Sequence, residues 1–567
     1  MQLSSSSAFS RRWITASRLL KSGKLKEIFI RTYRIIKRRK LKFRLIDYAD
    51  WHEEWVEVGQ KDTKRITELI NSLPHQPFFS IVLHLDVTNH AAATSTIESI
   101  KEQIYPNWKL HIITSKNINS ESLQKNISTD DDRIKITNVE DYDLNDWVIA
   151  LDSQTRLGKA ALFSVASSIV DTPEVSVIYS DNDHINSLGI FCDPYMKPSW
   201  NPDLFESINY LKPFTILHKN LWEKHLNPEE DLHDHLIQAT KKMSAKEILH
   251  IPQILASIHI DNQKNLLVPI VNAVKNNFPT KEPLVSIIIP TRDQGQILKT
   301  CINSIYQKTK YTNFEIILID HQSSEKKAIR VIDFLREKPN SRIEKYSGNF
   351  NFSAMVNKGA EIAQGEIITL LNNDTEIIEE NWLELLVTQT IRKEVGVCGP
   401  LLLFKNRTIQ HAGIHPSKNA LMIHGHKHEK ENSPGYFGHL QTKHEVMAVT
   451  GACLSTKKTT WDELGGFNDK NLKVAYNDVD FCLKAREVGL RVLLEPKVKL
   501  IHHESASRGV EQEILRNPRL QKEISYMKDR WGEFLFVDPA SNPNLLTTEE
   551  GLSLNPHPKE IPIWKNN

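Results

Sequence analysis

The sequence predicts an α/β protein built from two tandem, doubly wound domains, and three observations predict it. A strand–helix–strand order occurs twice. It runs first as FFSIVLHL (78–85), a helix carrying Ile97 and Ile100, and WKLHIIT (108–114), and again as LVSIIIP (284–290), a helix carrying Ile297, Leu298, Cys301, Ile302 and Ile305, and FEIILID (314–320). The spacings agree: Ser80 to Asn107 spans 27 residues and Ser286 to Asn313 also 27, each Asn being followed by an aromatic, Trp108 or Phe314. Further on, LDSQT (151–155) stands where LNNDT (371–375) stands. A repeat of this kind reads as duplication of one domain, and alternating strands and helices imply a parallel sheet in each copy. The copies differ in length, since Ser80 to Leu151 spans 71 residues and Ser286 to Leu371 spans 85.

The totals narrow the class. At 567 residues the chain has room for three or four domains of ~150 residues. Its 40% hydrophobic and 25% charged composition is that of an ordinary globular protein. A formal charge of +2 argues against a nucleic-acid partner for the molecule as a whole. The five cysteines, Cys192, Cys301, Cys398, Cys453 and Cys482, stand far apart with no CxxC pair. That argues against a zinc site or a disulfide framework and for a reducing compartment. No apolar run reaches 18 residues, so no membrane span is expected. MQLSSSSAFSRRW has no apolar core segment, so no secretory leader is expected.

Taken in order, residues 1–76 read as a basic arm and a helical lead-in. Between Arg11 and Arg44 there are fourteen Lys or Arg against one acidic residue, Glu27, interleaved with apolar positions. Such a segment suits an anionic membrane surface, and equally a solvated helical arm packed on the body or a nucleic-acid patch. Residues 77–262 form the first α/β copy. Residues 263–283 form a polar, proline-bearing linker, and 284–510 the second copy. Residues 511–567 give a helix to about Trp531 and then a Pro/Asn-rich tail expected to be irregular.

Three strand ends of the second copy carry ligand-capable groups. The strand ending at Leu371 is a buried apolar run behind Gly365 that stops in Asn372, Asn373, Asp374 and Glu376. In an open α/β sheet ligands bind at the carboxyl ends of strands, and a carboxylate there can hold a hard divalent cation that bridges phosphate oxygens. A surface Asx turn would read the same way. Pro290 and Thr291 end one neighbouring strand and Asp320 another, so a nucleotide across the crevice would meet Thr291 and Asp320 at its base and ribose. No GxGxxG follows the first strand and no GxxxxGK[ST] occurs, which disfavours a dinucleotide cofactor or a P-loop. In YNDVDFCLKAREVG, Asp478 and Asp480 fall in the first turn of a helix, where each reads either as a general base toward a hydroxyl or as an N-terminal cap. Beyond them, IHHESASRG offers His502 and His503 beside Arg508, an imidazole for a metal and a guanidinium for phosphate.

Together, VSIIIPT, LIDHQSS, NFNFSAMVNKGAEIAQGEIITLLNNDTEI, TGACLSTKKTTWDELGGFN, YNDVDFCLKAREVGLRVLLEP and IHHESASRG resemble bacterial family 2 glycosyltransferases of the rhamnosyltransferase-like and O-antigen or surface-polysaccharide branch, over about 284–510. The resemblance implies a GT-A fold and a nucleotide-sugar donor. It further implies a divalent cation (Mn or Mg) and inverting transfer to a glycan, expected to be lipid-linked, at the inner face of the cytoplasmic membrane. Carried over by position, Asn372 and Asp374 match the family's DXD site, with Asp374 as metal ligand. His502 matches the histidine near the metal, and Asp478 the proposed base, with Asn477 in place of the usual Glu. Asp320, Thr291 and Pro290, with Asn357, Asn373 and Arg508, fall on the nucleotide-sugar side. Thr450, Gly451, Ala452 and Asp480, with Gly465 and Gly466, fall on the acceptor side.

The first copy resembles the same family through IYSDNDHINSLG, DPYMKPSWNPDLF and HIPQILASIH, and departs from it where the chemistry would sit. Gln154 replaces the metal-binding carboxylate beyond Asp152, and fourteen residues are missing before the third strand. Asp181 and Asp183 mimic a DXD pair downstream of the true position. This copy is expected to be degenerate. Seven histidines between His411 and His444 have irregular spacing and no accompanying cysteine, which favours structural or acceptor-loop roles. Two alternatives to sugar transfer remain at this level. One is a non-catalytic carbohydrate-binding or scaffold protein that keeps the fold. The other is a nucleotidyltransferase, which would need a Gly-rich loop after the first strand.

Overall fold

The computed structural model describes residues 48–84, 90–113, 131–137, 144–225, 232–260, 278, 281–417, 421–503, 517–538, 540–548 and 551–565. The basic segment 11–44, most of the linker and Arg508 lie outside the described residues. The chain divides into the units Met1–Glu54 and Trp55–Asn567. Of the first, residues 48–54 are described, in the helix Tyr48–Trp55, where the rings of Tyr48 and Trp51 stack at 5.9 Å.

The larger unit holds two sheets of the same design. The first comprises β1 (Phe79–His84), β2 (Trp108–Ile113), β3 (Ile134–Thr137), β4 (Trp147–Asp152), β5 (Thr155–Leu157), β6 (Val177–Ile185), β7 (Phe191–Tyr195), β8 (Thr215–His218) and β9 (Ile248–His259). The second comprises β10 (Val285–Thr291), β11 (Phe314–Asp320), β12 (Ser341–Lys345), β13 (Ile367–Leu371), β14 (Thr375–Ile377), β15 (Val395–Leu403), β16 (Ile409–His411), β19 (His444–Glu445), β20 (Cys453–Lys457) and β21 (Arg491–His502); a hairpin of β17 (Ile414–Pro416) and β18 (Met422–His424) stands apart. The orders β3-β2-β1-β4-β8-β6-β9-β5 and β12-β11-β10-β13-β20-β15-β21-β14 correspond strand for strand.

Neither sheet is parallel throughout, which corrects the expectation. Four strands run parallel in each, but β8 and β20 enter antiparallel to β4 and β13. Alternating elements specify only the first half of each sheet, because the later strands return through long connections whose direction no local pattern encodes.

The correspondence reaches individual atoms. The Tyr105 hydroxyl donates to the Pro77 carbonyl at 2.7 Å, and the Tyr311 hydroxyl to the Pro283 carbonyl at 2.6 Å. The amides of Phe79 and Val285 donate to Asn107 and Asn313, both at 3.0 Å. Ser80 and Ser286 accept the backbone N–H of Asn145 and of Gly365, both at 2.8 Å, and so anchor the entry to β4 and β13. At Gly365 a Cβ would stand 2.6 Å from the Ser286 amide and 2.7 Å from the Leu284 carbonyl. Only glycine lets β13 approach its neighbour this closely.

β13 reads as expected, with Ile367, Ile368, Thr369, Leu370 and Leu371 all buried. Its faces meet two apolar layers, one with Met355, Val356 and Val479, the other with Leu298, Ile302 and Trp382. The C-terminal tail is not irregular. After the helix Pro518–Trp531 it forms a hairpin of β22 (Leu545–Thr548) and β23 (Gly551–Leu554). Met527, Trp531 and Leu535 pack in the second domain's core, whereas Trp564 packs in the first domain's, its ring 5.8 Å from Phe163. Short apolar anchors spaced along a polar tail carry no periodicity, so the sequence does not announce this strap.

Candidate functional site

Strand register brings the expected donor-side residues together. Thr291 and Asp320 end β10 and β11 as direct register partners. Both are buried, and the Thr291 carbonyl accepts from the His321 amide at 2.9 Å. Asp320 turns one carboxylate oxygen to the Ser323 amide at 3.1 Å. Pro290 is buried within β10. The Asn373 side-chain amide donates to the Thr291 hydroxyl at 2.9 Å, which locks the turn after β13 onto the end of β10.

Asp374 follows in that turn and meets β21. Thr375 pairs with His502, and the His503 amide donates to the Asp374 carbonyl at 2.8 Å. This pairing brings His502 Nε2 to 3.1 Å from Asp374 Oδ1. His503 turns instead to Glu376, at 2.8 Å. A carboxylate and an imidazole on adjacent strands could together hold a divalent cation. Among the described residues no group of three or more His, Cys, Asp or Glu that could hold a metal ion is present.

The acceptor-side segment links the two halves. The Asn372 amide donates to the Ala452 carbonyl at 2.9 Å, and the Gly451 amide donates to Asp478 Oδ2 at 2.8 Å. Thr450, Gly451 and Ala452 thus tie the strand end that carries Asp374 to the helix Asn477–Glu487 that carries Asp478. Asp478 also accepts from the Val479 amide at 2.9 Å. Tyr476, at φ +60°, turns the chain sharply into this helix, a strained conformation of the kind that clusters at functional sites. Asn477, where the resemblance expects Glu, is buried and donates to the Ser353 hydroxyl at 2.9 Å.

Two expected site residues play other parts. Asp480 does not face the acceptor side. It is fully buried, accepts from the Trp531 indole at 3.0 Å and lies 2.9 Å from Lys484 Nζ. Residues two apart on a helix point in nearly opposite directions, so Asp478 and Asp480 cannot both look into one crevice. Asn357 binds the loop after the helix Lys458–Glu463, accepting from the Phe467 amide at 3.0 Å and donating to the Phe467 carbonyl at 2.8 Å.

The histidine segment is packed structure for the most part. His411 and His424 meet at 2.8 Å through their Nδ1 atoms, His415 meets Asp538 at 2.8 Å, and His426 meets Glu429 at 2.9 Å. Burial holds His411 well below its usual pKa and pushes His444 down to about 4. One neighbour of the site escaped the sequence reading. Gln410, buried in β16, accepts from His502 Nδ1 at 2.8 Å through its side-chain oxygen, and nothing in IQHAGI signals it.

The first domain shows different residues at the same places. The His259 amide donates to the Gln154 carbonyl at 2.9 Å, and Thr155 pairs with Ile258. Gln154 therefore stands where Asp374 stands, and Ile258 where His502 stands. Asp152 spends Oδ1 on the Thr155 hydroxyl at 2.7 Å. Asp181 is fully buried among His250, the Lys197 amide and Asn542.

Residues 286–454 match the family model Glycosyl transferase family 2. The uncharacterized protein y4gI of Sinorhizobium fredii is 30% identical over 546 residues, covering 87% of this chain and 60% of its own length. The O-antigen biosynthesis protein RfbC of Myxococcus xanthus is 27% identical over 576 residues, covering 91% of this chain and 44% of its own. The chain thus spans about half the length of these curated relatives. Among solved structures, a mannosyltransferase from Pyrobaculum calidifontis in complex with GDP-Man and Mn2+ is 17% identical at a TM-score of 0.33, covering 44% of this chain and 66% of its own. Residues 286–454, within the second α/β domain, are thus similar to glycosyl transferase family 2.

Proposed function

We propose that the second domain transfers a sugar, with inversion, from a nucleoside-diphosphate donor to a hydroxyl of a bacterial surface glycan. One observation carries this reading: a single loop, Thr450–Ala452, is hydrogen-bonded both to the strand end bearing Asp374 and to the carboxylate of Asp478. Donor phosphates and acceptor hydroxyl would then be gripped by one rigid frame, which converts an encounter of two substrates into a near-unimolecular step. Thr291 and Asp320 line the nucleoside end. Asp374 and His502 would hold a divalent cation, which supplies positive charge against the leaving diphosphate. Asp478, oriented by the Gly451 and Val479 amides, takes the acceptor proton as the glycosidic bond forms. The kinship with the O-antigen protein supports a surface-glycan acceptor.

The first domain supports a second role in the same molecule. With Gln154 and Ile258 at the positions of Asp374 and His502, it has neither ligand for a cation, and we assign it to scaffolding or acceptor placement. The test is release of nucleoside diphosphate from a panel of nucleotide sugars by the full chain. Release that requires Mn2+ or Mg2+, vanishes in Asp374→Ala and persists in Asp152→Asn is expected. Equal loss in both variants, or release indifferent to the cation, overturns the reading.

A further inference from the structure

β16 pairs with β15 through an irregular register. Leu402 faces His411 and Leu403 faces Ile409, so adjacent residues on β15 take partners two apart on β16. Gln410 is the extra residue of a β-bulge, and bulges of this kind re-aim a side chain and recur beside functional sites. Here the side chain is aimed at His502 and is 4% exposed. Its Oε1 lies 2.8 Å from His502 Nδ1, and its Nε2 lies 3.4 Å from the His502 carbonyl.

Those two contacts determine each other. A carbonyl oxygen only accepts, so the amide nitrogen must face it, and reversing the amide would set two oxygens against each other. The amide oxygen therefore faces Nδ1, and because that oxygen also only accepts, Nδ1 must carry the proton. In the neutral ring the lone pair is then on Nε2, the atom 3.1 Å from Asp374 Oδ1. A neutral ring would thus turn its Nε2 lone pair toward the Asp374 carboxylate, an arrangement that a proton on Nε2 or a bound cation relieves.

We propose that Gln410 is a positioning residue that fixes His502 in its Nδ1-protonated tautomer, so that Nε2 and Asp374 present a ready-made pair of donors to the cation. The metal half of this statement rests on the proposed function; the tautomer half does not. Residues that orient a metal-bound imidazole typically change affinity by about 10- to 100-fold when removed.

Long-range 1H–15N correlation on the full chain with 15N-labelled histidine, metal-free and assigned by difference from His502→Ala, reads the tautomer directly. Nδ1–H at His502 is expected, with a shift toward Nε2–H in Gln410→Leu and retention in Gln410→Glu, whose carboxylate still accepts from Nδ1. Nε2–H in the unaltered protein, or a tautomer unmoved by Gln410→Leu, overturns the proposal. Mn2+ titration followed by electron paramagnetic resonance then separates the two halves. Binding weakened about 10- to 100-fold in Gln410→Leu, with an unchanged melting temperature, is expected. If Mn2+ binds the unaltered protein and His502→Ala equally, the metal reading fails while the tautomer stands or falls by its own measurement.

Discussion

Asp478 and Asp480 occupy the same helical turn two residues apart, and their surroundings give them opposite duties. Asp478 is held by the amides of Gly451 and Val479 at the rim of the crevice, whereas Asp480 is sealed under the Trp531 indole. Replacing Asp478 by Asn removes the base and keeps an acceptor for only one of the Gly451 and Val479 amides, so turnover is expected to fall by about 10²- to 10⁴-fold with a smaller loss of stability than Asp480→Ala causes. Replacing Asp480 by Ala leaves the Trp531 indole without its acceptor and takes the carboxylate away from Lys484 Nζ, which keeps only the Gly466 carbonyl at 3.2 Å. A loss of about 2 to 3 kcal/mol in stability is expected, with turnover of the folded fraction kept within a few-fold. Parallel melts and initial rates check both, and the reverse pattern would reassign the two residues. The sequence made Asp374, Asp320 and Thr291 legible because polar residues closing apolar strands are conspicuous. It could not separate Asp478 from Asp480, since both fit a helix start, and it was silent on Gln410, whose aim depends on a bulge.

At the scale of elements, the segment from β16 to β19 carries two deeply buried histidines. His411 and His444 are 1% and 8% exposed, and burial lowers the pKa of both, His444 to about 4. An imidazole kept neutral in the fold but free to protonate near pH 6.5 when unfolded makes the unfolded state the better proton binder below that pH. Stability is therefore intact above about pH 6.5 and declines as pH falls toward 4, by up to about 1.4 kcal/mol per pH unit for each such group. Denaturant unfolding between pH 7 and 4.5 is expected to show the decline, and to show it reduced in His444→Gln. An unchanged slope would mean that other groups set it. In the sequence, the irregular spacing of these histidines favours structural or acceptor-loop roles. It could not show that they lie inside, because burial here comes from contacts across the tail and the first domain and not from any periodicity.

At the scale of the molecule, the two domains meet through a buried cluster of charge. Asp203 of the first domain is 1% exposed and is bonded to Arg392 at 2.6 Å, to Arg491, and to Lys443 at 3.4 Å, all from the second. The guanidiniums and the ammonium outweigh the burial of Asp203 and hold its carboxyl well below the usual range. Arg491 is shared with Glu445, and Lys443 with Glu206 at 3.2 Å, so the cluster is a network and not a lone pair. Removing one member of a buried ion pair strands the others and typically costs about 3 to 5 kcal/mol. Asp203→Ala would leave two arginines and a lysine facing one another at the domain boundary. That variant is expected to unfold in two steps, or to expose the boundary to limited proteolysis, with nucleotide-sugar affinity of the second domain reduced only modestly. The tail reinforces the same joint, because Asn542 reaches Asp181 and Trp564 enters the first domain's core. If Asp203→Ala unfolds in a single step at the original midpoint, the domains are held by the tail and the apolar seam, and the charge cluster serves register alone.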